Sequence, residues 1–136
     1  MPVTYTIDPT RRQITCAGYG IMTKDELDAH IKRLQADPAF NRQYRQFWDL
    51  TDVIRIELTF PEMMWLAEKN IFAPTTPRAF LAPTDATFGI ARMFDMLRQA
   101  RGETGIRIFR GRAEALAWLE AAPGELPLPP AVKQAG

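Results

Sequence analysis

The sequence predicts one α/β domain: a mostly parallel five-stranded sheet with an antiparallel N-terminal strand, in the order ββαβαβαβα. Three observations predict it. Short strand-like runs alternate with amphipathic runs of helical spacing, which implies right-handed crossovers and parallel pairing. The first two strand-like runs follow one another directly, as a hairpin does. The 136 residues are 46% hydrophobic and 24% charged, the balance of an ordinary domain built around one core.

Residues 3–8 alternate Val3, Tyr5 and Ile7 with Thr4, Thr6 and Asp8, the period of a half-buried strand. Pro9-Thr10-Arg11 reads as a turn, because proline presets a turn dihedral and Asp8 can bond ahead to backbone. Residues 12–18 form the second strand, with Ile14 and Cys16 on one face, and Gly18-Tyr19-Gly20 then lets the chain bend sharply. Thr23 to Glu26 is a capping box, followed by Leu27, Ile31 and Leu34 at helical spacing until Asp37-Pro38 stops the helix.

Residues 44–50 read as the third strand, ending in Asp49-Leu50-Thr51-Asp52, with a loop beyond. Thr59-Phe60-Pro61-Glu62 is a second capping box, with Pro61 expected at the first helical position, where its missing N–H costs nothing. That helix is expected to run to about Phe72. Pro74, Pro77 and Pro83 bracket the short strand Arg78–Ala82. Thr84 or Asp85 caps a third helix to about Ala100, and Gly102 ends it. Ile106–Phe109 is the fifth strand, and residues 112–121 the fourth helix. The domain is therefore expected over 1–122, with a proline-rich tail over 123–136.

This order, with the Tyr5–Cys16 hairpin, Phe47-Trp48-Asp49-Leu50-Thr51, the Thr59-x-Pro61 helix start and the closing Ile106–Phe109 and Glu114–Leu119 segments, resembles the STAS superfamily. That is the module of sulfate transporters and anti-sigma-factor antagonists. The nearer likeness is to its SpoIIAA-like branch of small stand-alone bacterial proteins, over residues 3–121. In phosphorylatable members an Asp-Ser-Ser-Gly-like turn opens the second helix and carries the acceptor hydroxyl. Here Glu57-Leu58-Thr59-Phe60 stands there. The resemblance thus makes Thr59 the candidate phosphoacceptor, without the glycine and with bulky Phe60 beside it. Read from the residues alone, Thr59 is a helix cap.

Composition narrows the chemistry. The formal net charge of +1 gives no field for nucleic acid, and Arg98, Arg101, Arg107, Arg110 and Arg112 read as solvated surface. No apolar run approaches the length of a membrane span, so no stable membrane anchor is expected, and the cytoplasm is the expected compartment. With one cysteine, Cys16, and one histidine, His30, neither a metal site nor a cofactor is expected. Cys16 reads as a small core residue and His30 as a packed one. Asp49, Thr51 and Asp52 form a polar cluster at a strand end, where ligands of open α/β sheets bind, or else a simple turn. Gly102-Glu103-Thr104-Gly105 reads as a helix stop and turn, lacking the Lys-Ser/Thr of a phosphate loop.

The second and third helices carry more apolar surface than one sheet shelters. Met63, Met64, Ala67 and Ile71 suffice to pack the second helix, yet Trp65 and Phe72 form another stripe nearly opposite. Ile90, Ala91, Met93, Phe94, Met96 and Leu97 span over half the third helix. Three coverings are open: the two helices pack on each other, a second copy or regulatory protein covers them, or an apolar small molecule lies between helices and sheet. SpoIIAA-like proteins resemble lipid carriers in outline, and that resemblance raises the last without displacing the first. The expectation is a non-enzymatic binding domain using Met64, Trp65, Phe72, Phe88, Met93 and Phe94. The alternative is a regulator of the anti-sigma-factor-antagonist type, switched at Thr59.

Overall fold

The computed structural model describes residues 2–122; the expected tail over 123–136 lies outside them. Five strands form one sheet in the order β1-β2-β3-β4-β5: β1 (Val3–Asp8), β2 (Gln13–Thr23), β3 (Arg45–Glu57), β4 (Arg78–Leu81) and β5 (Ile106–Phe109). β1 runs antiparallel to β2, and the other neighbours are parallel. The helices are α1 (Lys24–Ala36), α2 (Phe60–Glu68), α3 (Asp85–Gln99) and α4 (Arg112–Ala121). The expected element order and sheet are those observed.

A sheet whose strands lie in chain order, joined by crossovers of one hand, carries all its crossover helices on one face. Accordingly α1, α2 and α3 cover one side over the larger core of Ile14, Cys16, Leu34, Trp48, Leu50 and Phe80. The final helix has no strand to return to and packs on the other side, over Phe47, Ala79 and Leu81. Strand alternation sorts β3 accordingly: Trp48 and Leu50 face α1–α3, while Phe47 faces α4.

Both capping boxes form. Thr23 accepts from the Glu26 amide and Thr59 from the Glu62 amide, and each glutamate returns a bond to its cap residue. Thr84, not Asp85, caps α3. The chain does not turn away after Gly18. β2 continues to Thr23 through register shifts beside Ala17–Tyr19 and Gly20–Ile21, with Gly20 absorbing a φ of +65°. β3 likewise runs seven residues past the expected Leu50, to Glu57. These two long strands pair with each other beyond the end of β4, and that tertiary pairing overrides the weak local signal of Thr51–Glu57. α2 stops at Glu68, four residues short of Phe72.

Candidate functional site

Strand periodicity places Gln46 and Trp48 of β3 and Arg78 and Phe80 of β4 on the face beneath α1–α3. Gln46 and Arg78 are register partners. α1 contributes His30 from above, α2 Met63 and Leu66, the segment after α2 Ile71 and Phe72, and α3 Ala91 and Phe94. These residues line a cavity of about 90 Å³ between the helices and the sheet. Its walls are mainly aliphatic and aromatic, and its polar lining consists of His30, Gln46, Lys69 and Arg78, with the Trp48 indole.

A chain of buried hydrogen bonds leads away from this floor. The Gln46 amide donates from Nε2 to Cys16 Sγ at 3.3 Å. Arg78 donates from Nε to Gln46 Oε1 at 2.9 Å and from Nη1 to Glu103 Oε2 at 2.9 Å. Arg98 donates from Nε to Glu103 Oε1 at 2.7 Å, and from Nη1 to the Ala67 carbonyl. Glu103 is 1% exposed, with Arg78 and Arg98 also buried, so α3, β4 and the end of α2 are tied through one carboxylate. Arg78 lies 4.5 Å from the Phe72 ring centroid and 5.5 Å from that of Phe80, within cation–π range. Burial presses the Arg78 pKa below its ordinary value while the Glu103 charge opposes the shift; the guanidinium stays protonated.

Two titratable groups are tuned by enclosure. Burial, seconded by the Arg33 charge, lowers His30 to about 4, so its imidazole is neutral at pH 7. It packs edge-on to Tyr5 and Trp48 at 5.9 and 5.4 Å, and its Nδ1 is buried with no hydrogen-bond partner among the described residues. Burial pushes the Cys16 thiol up to about 12, against the bond from Gln46. A thiol so placed is not a nucleophile at neutral pH. Among the described residues no group of three or more His, Cys, Asp or Glu is placed to hold a metal ion. No described helix is long and apolar enough to cross a membrane.

A solved structure of an uncharacterised DUF3478-family protein with a SpoIIAA-like fold, from Shewanella loihica PV-4, is similar to this chain. The TM-score is 0.58 at 14% identity, over 86% of this chain and 93% of that one. The fold is SpoIIAA-like. No family model matches the chain, and neither does any curated protein. The fold expected from the order of the elements is thereby shown.

Within this SpoIIAA-like frame the expected site residues part company. Phe72 and Phe94 line the cavity. Met64 and Trp65, on α2, do not, and Trp65 is half-buried beneath Lys24 and Lys69, whose Nζ atoms lie 4.4 and 5.2 Å from its ring centroid. Phe72 is not on α2 with Trp65 at all. It lies beyond the helix, 3% exposed, against Phe40, so the expected second stripe is corrected to one core residue and one lysine-covered ring. Phe88 packs under Arg110 at 4.3 Å. Met93 faces out, 39% exposed.

The polar cluster is also moved. Asp49, Thr51 and Asp52 lie inside β3, not at its end. Asp49 is level with Leu81 at the end of β4. It accepts from the Thr51 amide at 2.9 Å and from Arg112 Nη2 at 2.7 Å. Burial alone would raise its carboxyl, but these bonds outweigh it and hold the pKa below the ordinary carboxylate value. The group is thus engaged in fixing α4 to β3. Thr59 is exposed, its hydroxyl engaged by the Glu62 amide, in a depression shared with Asp25, Glu57 and Glu62.

Sequence reasoning missed His30, Gln46, Arg78 and the Arg98–Glu103 pair as site residues. Arg98, read as solvated, is 5% exposed. One signal was present: Arg78 opens a strand of otherwise apolar residues, Ala79, Phe80 and Leu81, between prolines. A charge on the inner face of such a strand requires a buried partner.

Proposed function

We propose that this domain binds an apolar small molecule in the cavity between the sheet and α1–α3. The supporting observation is the cavity itself. Protein interiors are close-packed, with few voids larger than a water, and this one combines apolar walls with a few convergent polar groups, the pattern of a ligand site. Binding here, and not at the outer faces of α2 and α3, is the revised form of the helix-face expectation. Phe72 and Phe94 serve in both. The reading is of a binding domain, not a catalyst: Cys16 is masked by burial and Asp49 is committed to Arg112.

The test is an amide chemical-shift titration with benzene as the smallest aromatic probe. Shifts concentrated at residues lining the cavity, Trp48, Phe72 and Phe94 among them, and lost in Ala91→Leu, support the reading. Saturation with benzene, and with 1-butanol as a slimmer probe, that moves none of these amides removes it.

A second reading, contact with another protein or another copy, draws on Met93 and Met96, 39% and 61% exposed on α3. A solution mass near twice 15.5 kDa, reduced to one copy by Met96→Lys, supports a dimer; a single-copy mass at every concentration removes it. The regulatory alternative at Thr59 gains no support from its surroundings. Asp25, Glu57 and Glu62 outnumber Lys24 in the same depression and would repel an added phosphate, and its hydroxyl already caps α2.

A further inference from the structure

The cavity's charge is lopsided. Its lining holds two cationic side chains, Arg78 and Lys69, and none of its lining residues is acidic. Behind the wall stands one carboxylate, Glu103, against two guanidiniums, Arg78 and Arg98. Two positive charges and one negative leave the buried triad at +1. Glu103 is fully engaged, one oxygen to each arginine, and has no capacity to balance a second charge. A buried charge without a counter-charge is expensive, and proteins avoid one unless it is paired.

The triad's excess falls on Arg78, the member that lines the cavity. Arg98 has turned its second group to the Ala67 carbonyl. Arg78 uses Nε on Gln46 and Nη1 on Glu103, which leaves Nη2 without an acceptor among the described residues. The rings of Phe72, Phe80 and Phe94 lie 4.5, 5.5 and 6.0 Å from its Cζ. They soften the charge but accept no conventional hydrogen bond, so Nη2, which is not fully buried, is free to donate to an acceptor brought into the cavity. His30, 3% exposed, brings a buried Nδ1 without a hydrogen-bond partner among the described residues to the same wall. Lys69, next to α2 and exposed, places another cation at the outer margin.

We propose that the ligand is a small monocarboxylic acid, bound through its carboxylate at Arg78, with its apolar body packed against Trp48, Phe72 and Phe94. Charge, hydrogen bonding and size agree on this class. A monoanion cancels the +1 of the triad, and a carboxylate oxygen supplies the acceptor that Nη2 lacks. The cavity of about 90 Å³ is smaller than the roughly 150 Å³ cavity that holds benzene in another protein. The body therefore has about four carbons, unless the walls part. A dianionic phosphate would overshoot the charge and leave little room for any body.

This inference rests on the apolar-ligand reading, and the experiment separates the two. Butanoate, 1-butanol and butylammonium have four carbons each and differ in headgroup. Each is titrated into the full chain at pH 7, followed by amide shifts at the cavity residues, with benzene alongside. Butanoate is expected to bind at least tenfold more tightly than 1-butanol, and butylammonium not at all. Arg78→Met is expected to cost butanoate at least tenfold and leave 1-butanol unchanged, since it keeps Arg98–Glu103 as a balanced pair. Should that variant fail to fold, the three-ligand comparison on the wild-type chain decides alone. Equal or tighter binding of 1-butanol overturns the carboxylate assignment and leaves the cavity reading intact. No binding by butanoate, butanol or benzene overturns both.

Discussion

His30 offers a test in which one residue controls a whole pH window. It is the chain's single histidine, and no other side-chain type ordinarily titrates between pH 5 and 7. Burial lowers its pKa to about 4 in the folded protein, against about 6.5 in an unfolded chain. The folded pKa is the lower one, so below pH 6.5 the unfolded state takes up a proton that the folded state refuses. Stability contributed by the neutral ring is therefore complete at pH 7 and is lost as pH falls through the window from 6.5 to 4. Linkage between those two values gives a loss of about 2 kcal/mol from pH 7 to pH 5, rising to about 3 once both states are protonated. Carboxylates with ordinary pKa values enter only near the lower end. The assay is urea unfolding at fixed pH values from 7 to 5. The midpoint is expected to fall by about 1 M, given a denaturant slope of about 2 kcal/mol/M. His30→Phe keeps a ring between Tyr5 and Trp48 and removes the titration, so its midpoint is expected to stay nearly flat over the same range. Equal pH slopes in the two proteins would refute the burial argument, since the loss would then come from elsewhere.

Other outcomes test other parts of the structure. Glu103→Gln leaves two buried arginines without a counter-charge, and urea unfolding is expected to show a loss of about 3–5 kcal/mol; a change under 1 would mean that the arginines are solvated. Gly105→Ala places a methyl 2.0 Å from the Thr76 carbonyl oxygen, beside the bond from the Arg78 amide to the Gly105 carbonyl, so thermal and urea unfolding should show a loss above about 2 kcal/mol. Wild-type stability in that variant would rule out the close crossing. Thr59→Ala is expected to cost about 1 kcal/mol through the lost cap of α2, measured the same way, with benzene binding unchanged.

The fold was legible because its signals are local and mutually consistent. Both Thr-x-x-Glu boxes, the prolines around Arg78–Leu81 and the alternation in Val3–Asp8 specify elements from within a few residues. Their order then restricts the sheet through crossover handedness. What failed was local evidence about residues whose state is set by distant partners. Thr51–Glu57 became strand because β2 runs alongside it, and Phe72 left the helix and entered the core beside Phe40. Trp65 reads as a second apolar face because no one-dimensional pattern shows two lysines folding over it.

The sequence by itself determined the element order and the helix starts, since propensity, capping and periodicity act over one or two turns of chain. Only the tertiary structure decided that Arg78, Arg98 and Glu103, up to 25 residues apart, share one buried site, and that His30 and Gln46 border the cavity next to it. Charges are written in the sequence, but their environment is not. Whether an arginine meets water, a carboxylate or an empty apolar space depends on which strands and helices enclose it.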